Sequence, residues 1–360
     1  MTFPLPPGST IGVLGGGQLG RMLALAAARL GFDTVILTPE TNACASRVAA
    51  QTIVADYADP EALEALAGLA DVVTYEFENV PAAAVEGLTS LGAETAPGPR
   101  ALAVAQDRVE EKTFLNGCGA PTVGFAAVAS VADILAGLDA LGAPALLKTR
   151  REGYDGKGQT WVESHADAEA AYDRIGRAPA ILEARADFVR ELSVIAARGR
   201  DGDVATYPLG ENHHENGVLR RTSAPAEVSD ATNQAAQTIA ARILTTLDYV
   251  GVIGVELFEL ADGRLLVNEI APRVHNTGHW TLDGCEVDQF EQHIRAIAGW
   301  PLGPVDALAH VEMDNLLGGE ADSWPALMGE TRARVWFYGK GEARPGRKMG
   351  HINRLRPLKD

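Results

Sequence analysis

Two β-rich runs, Val252–Leu260 (VIGVELFEL) and Leu265–Ile270 (LLVNEI), are separated by only Ala261, Asp262, Gly263 and Arg264. Asp-Gly is a favoured pair for a two-residue type I′ turn, so the runs are expected to fold back on each other as an antiparallel hairpin. With Asp262 and Gly263 as the loop, Ala261 pairs with Arg264, and counting outward sets Glu256 opposite Glu269. Cross-strand neighbours lie about 5 Å apart, and two carboxylates so placed destabilise a sheet unless something compensates them. A divalent cation is the natural compensation, because hard cations take carboxylate oxygens and share them with substrate phosphates. Taken alone, the hairpin also fits two solvent-facing acids. The chain then runs on as NEIAPRVHNTGHW, Asn268–Trp280, adding a guanidinium, an imidazole and further polar side chains within a few residues. That concentration favours a site.

The first hundred residues alternate strand and helix: Thr10–Leu14, an alanine-rich helix Leu19–Leu30, Asp33–Leu37, a helix Glu61–Leu69, and Asp71–Tyr75. Such alternation implies a parallel α/β sheet. Breaker clusters at Ala96–Arg100 (APGPR) and Gly299–Pro304 (GWPLGP) divide the chain into residues 1–100, 101–300 and 301–360. In the middle part, Ala143–Thr149 and Gln159–Val162 read as strands around a glycine-rich turn, and the last part contains a β-rich run, Thr331–Tyr338.

The net charge of −17 argues against a nucleic-acid partner, which needs a basic footprint. The stretch Lys340–Lys359 departs from that balance, with Lys340, Arg344, Arg347, Lys348, Arg354, Arg356 and Lys359 opposed by Glu342 alone. A local exception of this kind suits an acidic protein that holds a small anion, and the order of its glycines and prolines suggests a shaped loop. No run approaches the ~18 apolar residues of a membrane span. Nor does a cationic segment lead into an apolar one at the N-terminus. Three scattered cysteines, Cys44, Cys118 and Cys285, fit free thiols in a reducing cytosol. A cytoplasmic protein with no membrane partner is expected.

Two glycine-rich turns carry further chemistry. Gly15–Gly20 (GGGQLG) follows a strand and opens a helix, a context in which backbone N–H groups hold phosphate. With Glu40 about 20 residues on, it also admits an NAD-dependent oxidoreductase. The second, Gly153–Gln159 (GYDGKGQ), has the make-up of a flap over phosphates but lacks the P-loop order. Lys148, in the strand run before it, needs an anionic partner in an apolar context. Glu183 and Glu191 flank a hinge-like stretch and could accept from a nucleoside's amine and hydroxyls.

Lys148, GYDGKGQ, Glu183 with Glu191, and the acidic hairpin leading into NEIAPRVHNTGHW together resemble the ATP-grasp enzymes. GGGQLGRM, YEFENV (Tyr75–Val80) and PGRKMGHIN (Pro345–Asn353) are most similar to the N5-carboxyaminoimidazole ribonucleotide synthetases within that superfamily, and the likeness runs through the whole chain in order. It implies an α/β and α+β fold: a Rossmann-like pre-ATP-grasp domain, an ATP-grasp domain with a flexible lobe near residues 115–185, and a small β-rich C-terminal domain, commonly as a homodimer. The implied reaction joins bicarbonate to the amine of 5-aminoimidazole ribonucleotide with ATP, through carboxyphosphate, in purine biosynthesis.

By the same resemblance, Glu256 and Glu269 hold Mg²⁺ or Mn²⁺. Arg108, Lys148, Gly153, Tyr154, Asp155, Gly156, Lys157, Gly158, Gln159, Glu183, Glu191, His214, Asn268 and Glu269 surround ATP. Arg273, His275 and Lys348 form the carboxyl cradle. The ribonucleotide meets Gln18, Leu19, Lys340, Arg347 and Lys348 through its phosphate, and Glu76, Tyr154 and Asp155 through its ribose or imidazole. Lys348 thus has two candidate tasks. The chain departs from the family's common pattern at Val274, Trp280 and Ala271, and strand alternation places Asn268 on the face opposite Glu269. A formate-dependent glycinamide ribonucleotide transformylase is the neighbouring alternative on the same scaffold.

Overall fold

Thr10–Leu14 (β1) lies at the centre of a four-stranded parallel sheet with Asp33–Thr38 (β2), Gln51–Val54 (β3) and Val72–Tyr75 (β4), in the order β3-β2-β1-β4. The computed structural model describes residues 2–153 and 158–358. β1 is buried from Ile11 onward, as a strand covered on both faces must be. The helices Gln18–Arg29 and Pro60–Leu69 lie close to the expected positions. β3 was not legible: QTIV is four residues long, half exposed, and sits on the sheet edge.

A second sheet of four antiparallel-paired strands comprises Phe125–Val128 (β5), Ala145–Thr149 (β6), Gln159–Val162 (β7) and Ala180–Ala184 (β8), in the order β5-β8-β6-β7. The largest sheet takes Phe188–Arg198 (β9), Val204–Thr206 (β10), Gly210–Glu215 (β11), Val218–Ala224 (β12), Gly251–Leu260 (β13), Leu265–Ala271 (β14), His310–Leu317 (β15), Ala333–Phe337 (β16) and Lys348–Arg356 (β17). Its order is β14-β13-β9-β11-β12-β15-β17-β16, with β10 beside β9. The C-terminal strands therefore continue the central sheet. The basic stretch read as a loop is one only up to Arg347; from Lys348 it forms β17, whose Met349–Asn353 are buried. Arg354, in that strand, is neutralised by Asp314 and Glu330.

The two faces of this sheet have different work. Ile253, Val255 and Leu257 of β13 pack with Ile239, Ile243 and Leu244 of the helix Asp230–Thr246. On the opposite face, Val252 joins Phe290, Ile294 and Ile297 of the helix Gln289–Ala298 and Leu23 and Ala27 from the N-terminal domain. Alternation along β13 then turns Glu256 and Phe258 away from the Asp230–Thr246 helix and into a cleft.

The hairpin forms with a different turn. Leu260, not Ala261, pairs with Arg264: its N–H donates to the Arg264 carbonyl at 2.9 Å, and Gly263 N–H donates to the Leu260 carbonyl at 2.9 Å. Ala261, Asp262 and Gly263 make a three-residue loop, with Gly263 at φ +81° supplying the left-handed position. This shifts the register by one residue. A β-bulge near Glu256 restores it, so Leu257 faces Val267 while Glu256 faces Glu269. Asn268 is the extra residue, and the bulge carries it onto the same cleft face as Glu269, correcting the expectation from simple alternation. Val267 and Ile270, on either side, both point to the core.

Candidate active site

Along the cleft face of β13 and β14, the pairing of Glu256 with Glu269 has an electrostatic consequence. Burial and the facing Glu269 raise Glu256 to about 7. Glu269 moves the other way: burial disfavours its charge, but Arg108 and Lys148 outweigh that and hold it below the usual carboxylate range. Asn268 Nδ2 stands 3.4 Å from Glu256 Oε2. Among the described residues no group of three or more His, Cys, Asp or Glu could enclose a metal. Two converging carboxylates, one raised by burial and by the other's charge, fit Mg²⁺ or Mn²⁺, which commonly completes its octahedron with waters and substrate phosphates.

The helix Arg108–Gly117 bolts this strand in place. Asp107 caps it, accepting from Val109 N at 3.1 Å and Glu110 N at 3.4 Å. Helical spacing aligns residues three and four apart, so Arg108, Glu111 and Lys112 share one face. Arg108 donates to Glu269 at 3.1 Å and to the Gly153 carbonyl at 3.1 Å. Glu111 accepts from Ile270 N at 2.8 Å, and burial together with Glu269 pushes it up to about 8. Lys112, 1 % exposed, donates to the Asn268 carbonyl at 3.1 Å and pairs with Glu183 at 3.3 Å. Lys148 on β6 meets the other Glu183 oxygen at 2.7 Å. Glu183 therefore serves as counter-ion to two lysines.

Glu111 and Lys112 were missed in the sequence, although DRVEEK carries the i, i+3, i+4 signal. Glu78 was missed too. Its carboxylate accepts from Arg273 Nε, and although burial opposes its charge, Arg273 lowers it to about 2. His275 is driven well below its ordinary value by burial and by Arg273, so it is a neutral imidazole here. Its Nδ1 lies 2.9 Å from Thr277 Oγ1 and its Nε2 3.7 Å from Glu256. His214 Nδ1 sits 2.5 Å from Glu191; burial opposes its charge, but Glu191 and Glu256 outweigh burial and raise its pKa.

These groups converge on one cleft of about 720 Å³. Of the expected site residues it gathers Gln18, Leu19, Glu76, Arg108, Lys148, Gly153, Gln159, Glu191, His214, Glu256, Asn268, Glu269, Arg273, His275 and Lys348. Glu183 lines an adjoining cavity of about 560 Å³ that shares Lys148 and is walled by Leu146, Trp161, Phe188 and Phe258, the two phenyl rings stacked at 4.4 Å. Gly158, Lys340 and Arg347 lie off the cleft lining. Arg347 donates to the Glu342 carbonyl at 2.8 Å, and Lys340, its charge disfavoured by burial, lies within the field of Glu76. Tyr154, Asp155, Gly156 and Lys157 fall outside the described residues.

The glycine-rich turn at Gly15–Gly20 already holds a carboxyl group of its own. Glu76, 6 % exposed and immediately after β4, accepts from Gly17 N–H and from Gly20 N–H at 2.6 Å. A Cβ at Gly17 would come within 2.6 Å of Glu76 Oε1. The glycine there admits a carboxylate where a dinucleotide fold would bring its pyrophosphate, which removes the observation that favoured an NAD enzyme.

Profiles of three families match in series: a ribonucleotide synthetase preATP-grasp domain over residues 9–106, an ATP-grasp domain over 113–290, and a phosphoribosylaminoimidazole carboxylase C-terminal domain over 312–359. The chain is 52% identical over 358 residues to the N5-carboxyaminoimidazole ribonucleotide synthase of Brucella melitensis, covering 98% of each. It superimposes on the crystal structure of the N5-carboxyaminoimidazole ribonucleotide synthetase of Thermus thermophilus with a TM-score of 0.91 and 46% identity, over 96% of this chain and 93% of that one. The Aspergillus clavatus enzyme, crystallised with ADP and 5-aminoimidazole ribonucleotide, matches with a TM-score of 0.91 and 34% identity, over 98% and 94%. With identity sustained from end to end, the chain belongs to the N5-carboxyaminoimidazole ribonucleotide synthase family of ATP-grasp enzymes.

Proposed function

We propose that this chain carboxylates the amine of 5-aminoimidazole ribonucleotide with bicarbonate at the expense of ATP, giving N5-carboxyaminoimidazole ribonucleotide, ADP and phosphate in purine biosynthesis. The observation that carries the reading is the meeting, in one cleft, of an opposed acidic pair, Glu256 and Glu269, with Arg108, Lys148, Arg273 and Lys348. Three anionic partners must approach one another there, and fixed positive charge in a recessed site makes that approach possible.

The adjoining cavity has the flat apolar walls that suit an adenine ring, and Lys148 at the shared boundary suits the phosphates. Glu256 and Glu269 would hold Mg²⁺, with Asn268 beside them. When bound, the ion neutralises the phosphate oxygens during transfer. Arg108 and Lys148 orient the γ-phosphoryl group while a bicarbonate oxygen attacks phosphorus and ADP departs. Arg273 and Lys348 hold the resulting carboxyl group, with the neutral ring of His275 available as a hydrogen-bond partner rather than as a charge. The substrate amine then bonds to the carboxyl carbon, either directly on carboxyphosphate with expulsion of phosphate or on carbon dioxide already released together with phosphate, and in both cases the amine nitrogen loses a proton.

Glu76 lies at the N-terminal domain's wall of the cleft, where it would meet the sugar hydroxyls, while Gln18, Leu19, Lys340 and Arg347 would take the substrate phosphate. This assignment divides the chain near residues 100 and 300, and the enzyme is read as a cytoplasmic homodimer that binds neither nucleic acid nor membrane. No helix among the described residues is long and apolar enough to cross a membrane.

The experiment is phosphate release from Mg-ATP with and without bicarbonate and with and without aminoimidazole ribonucleotide. Stimulation by the pair, with labelled bicarbonate carbon entering an acid-labile product, supports the assignment. Absence of stimulation, with Mg-ATP still bound, overturns the substrate.

A further inference from the structure

The segment after β4, Glu76-Phe77-Glu78, reaches two distant parts of the cleft. Glu76 closes the glycine-rich turn at one end. Two residues on, Glu78 crosses from the N-terminal domain to Arg273, which follows β14. The Glu78 backbone is itself pinned, since Gln106 Nε2 donates to its carbonyl at 2.8 Å and to that of Val80 at 2.6 Å. Glu78 thus presents its carboxylate from an anchored loop.

Arg273 has few other constraints. Its Nη1 donates to the Val274 carbonyl at 3.0 Å, and Glu78 is its only ion-pair partner among the described residues. Its side chain is 13 % exposed, toward the cleft. A guanidinium is a planar fork that grips a carboxylate at two points only when its plane is fixed, and a bond at Nε fixes that plane while leaving the Nη2 edge open.

We propose that Glu78 is a positioning residue for carboxyl transfer: by engaging Arg273 Nε it aims the remaining edge of that guanidinium at the carboxyl group of bicarbonate and of the intermediate formed from it. The inference rests on the reading of this cleft as the bicarbonate site. It also gives YEFENV a division of labour, with Glu76 facing the ribonucleotide and Glu78 governing the carboxyl end.

The sign of the effect separates positioning from simple charge. Glu78 is an anion beside a site for an anion, so by Coulomb's law alone its neutralisation should improve bicarbonate binding. Positioning demands the reverse. In Glu78→Gln the KM for bicarbonate should rise on the order of tenfold, equivalent to about 1.4 kcal/mol, while the KM for ATP stays within about twofold. Glu78→Asp keeps the charge on a shorter arm and should fall between the two. The double variant Glu78→Gln/Arg273→Lys should be little worse in bicarbonate KM than Arg273→Lys alone, because both changes disable one device.

A bicarbonate KM that is unchanged or lower in Glu78→Gln, or effects that add in the double variant, would overturn the inference. Should Glu78→Gln fail to fold, the Glu78→Asp series and its double variant separate the same two outcomes. A wild-type chain with no bicarbonate-dependent turnover would instead sink the assignment of the site itself.

Discussion

Lys112 Nζ lies 3.3 Å from Glu183 Oε1 and, on its other side, 3.1 Å from the carbonyl oxygen of Asn268, the bulged residue beside Glu269. One buried ammonium thus ties β8 of the smaller antiparallel sheet to β14 of the central sheet, at the level of the acidic pair. Lys112→Met keeps the aliphatic stem but strands that carbonyl and leaves Glu183 with Lys148 alone. Removing one partner of a buried pair costs several kcal/mol, and the surviving lysine moderates it to roughly 2–3. Denaturant unfolding with and without Mg-ATP would measure the loss; wild-type stability in Lys112→Met would mean that Lys148 alone satisfies Glu183.

Glu256→Gln should separate stability from activity. Without a cation the variant relieves the opposition of Glu256 and Glu269, so its thermal midpoint should match or exceed that of the wild type. Phosphate release should fall by at least about a hundredfold, because a ligand that carries charge for the metal is gone. Glu269→Gln should be as inactive, but it also strips Arg108 of its carboxylate and should be less stable than Glu256→Gln. Near-normal turnover in either variant would exclude the pair from metal binding.

How far the site could be read in advance depended on whether local rules acted alone. The acidic pair was found through a two-residue turn that does not form. The longer loop closed by Gly263 and the bulge at Asn268 cancel in register, so Glu256 and Glu269 still face each other, while Asn268 turns to the cleft against the alternation rule. Period-two counting cannot see a bulge that tertiary packing imposes at Val267 and Ile270. Glu78 and Lys112 escaped for another reason: each is an ordinary charged residue until a remote partner, Arg273 or Glu183, is brought to it. By contrast, β1 and the helix at Gln18 were legible because a buried strand and a glycine turn are written in adjacent residues.

Gly17→Ala tests whether Glu76 depends on the glycine-rich turn. The added Cβ would lie 2.6 Å from Glu76 Oε1 and 2.9 Å from Oε2, so the carboxylate must move or lose its N–H donors. With Glu76 displaced, the KM for the ribonucleotide should rise roughly tenfold or more, and those for ATP and bicarbonate should change little. Steady-state kinetics with each substrate varied in turn would decide. An equal rise in all three constants would point to a general collapse of the N-terminal domain.

His293 gives the fold a dependence on pH that is independent of the acidic cleft. Val252 N–H donates to its Nδ1 at 3.1 Å, which leaves Nε2 to carry the proton shared with Thr74 Oγ1 at 2.8 Å. Burial lowers its pKa from 6.5 to about 3. Between those values the unfolded chain binds a proton that the folded chain refuses. The stabilisation is therefore complete above pH 6.5 and declines as the pH falls toward 3, by about 1.4 kcal/mol per pH unit. His351, also lowered to about 3 by burial, adds a second contribution of the same sign. Urea unfolding at pH 5.5 should take up about one proton fewer in His293→Gln than in the wild type, whatever the substitution does to stability itself. Equal proton uptake would mean that His293 is already protonated in the fold, and the acid sensitivity would then belong to His351 and the carboxylates.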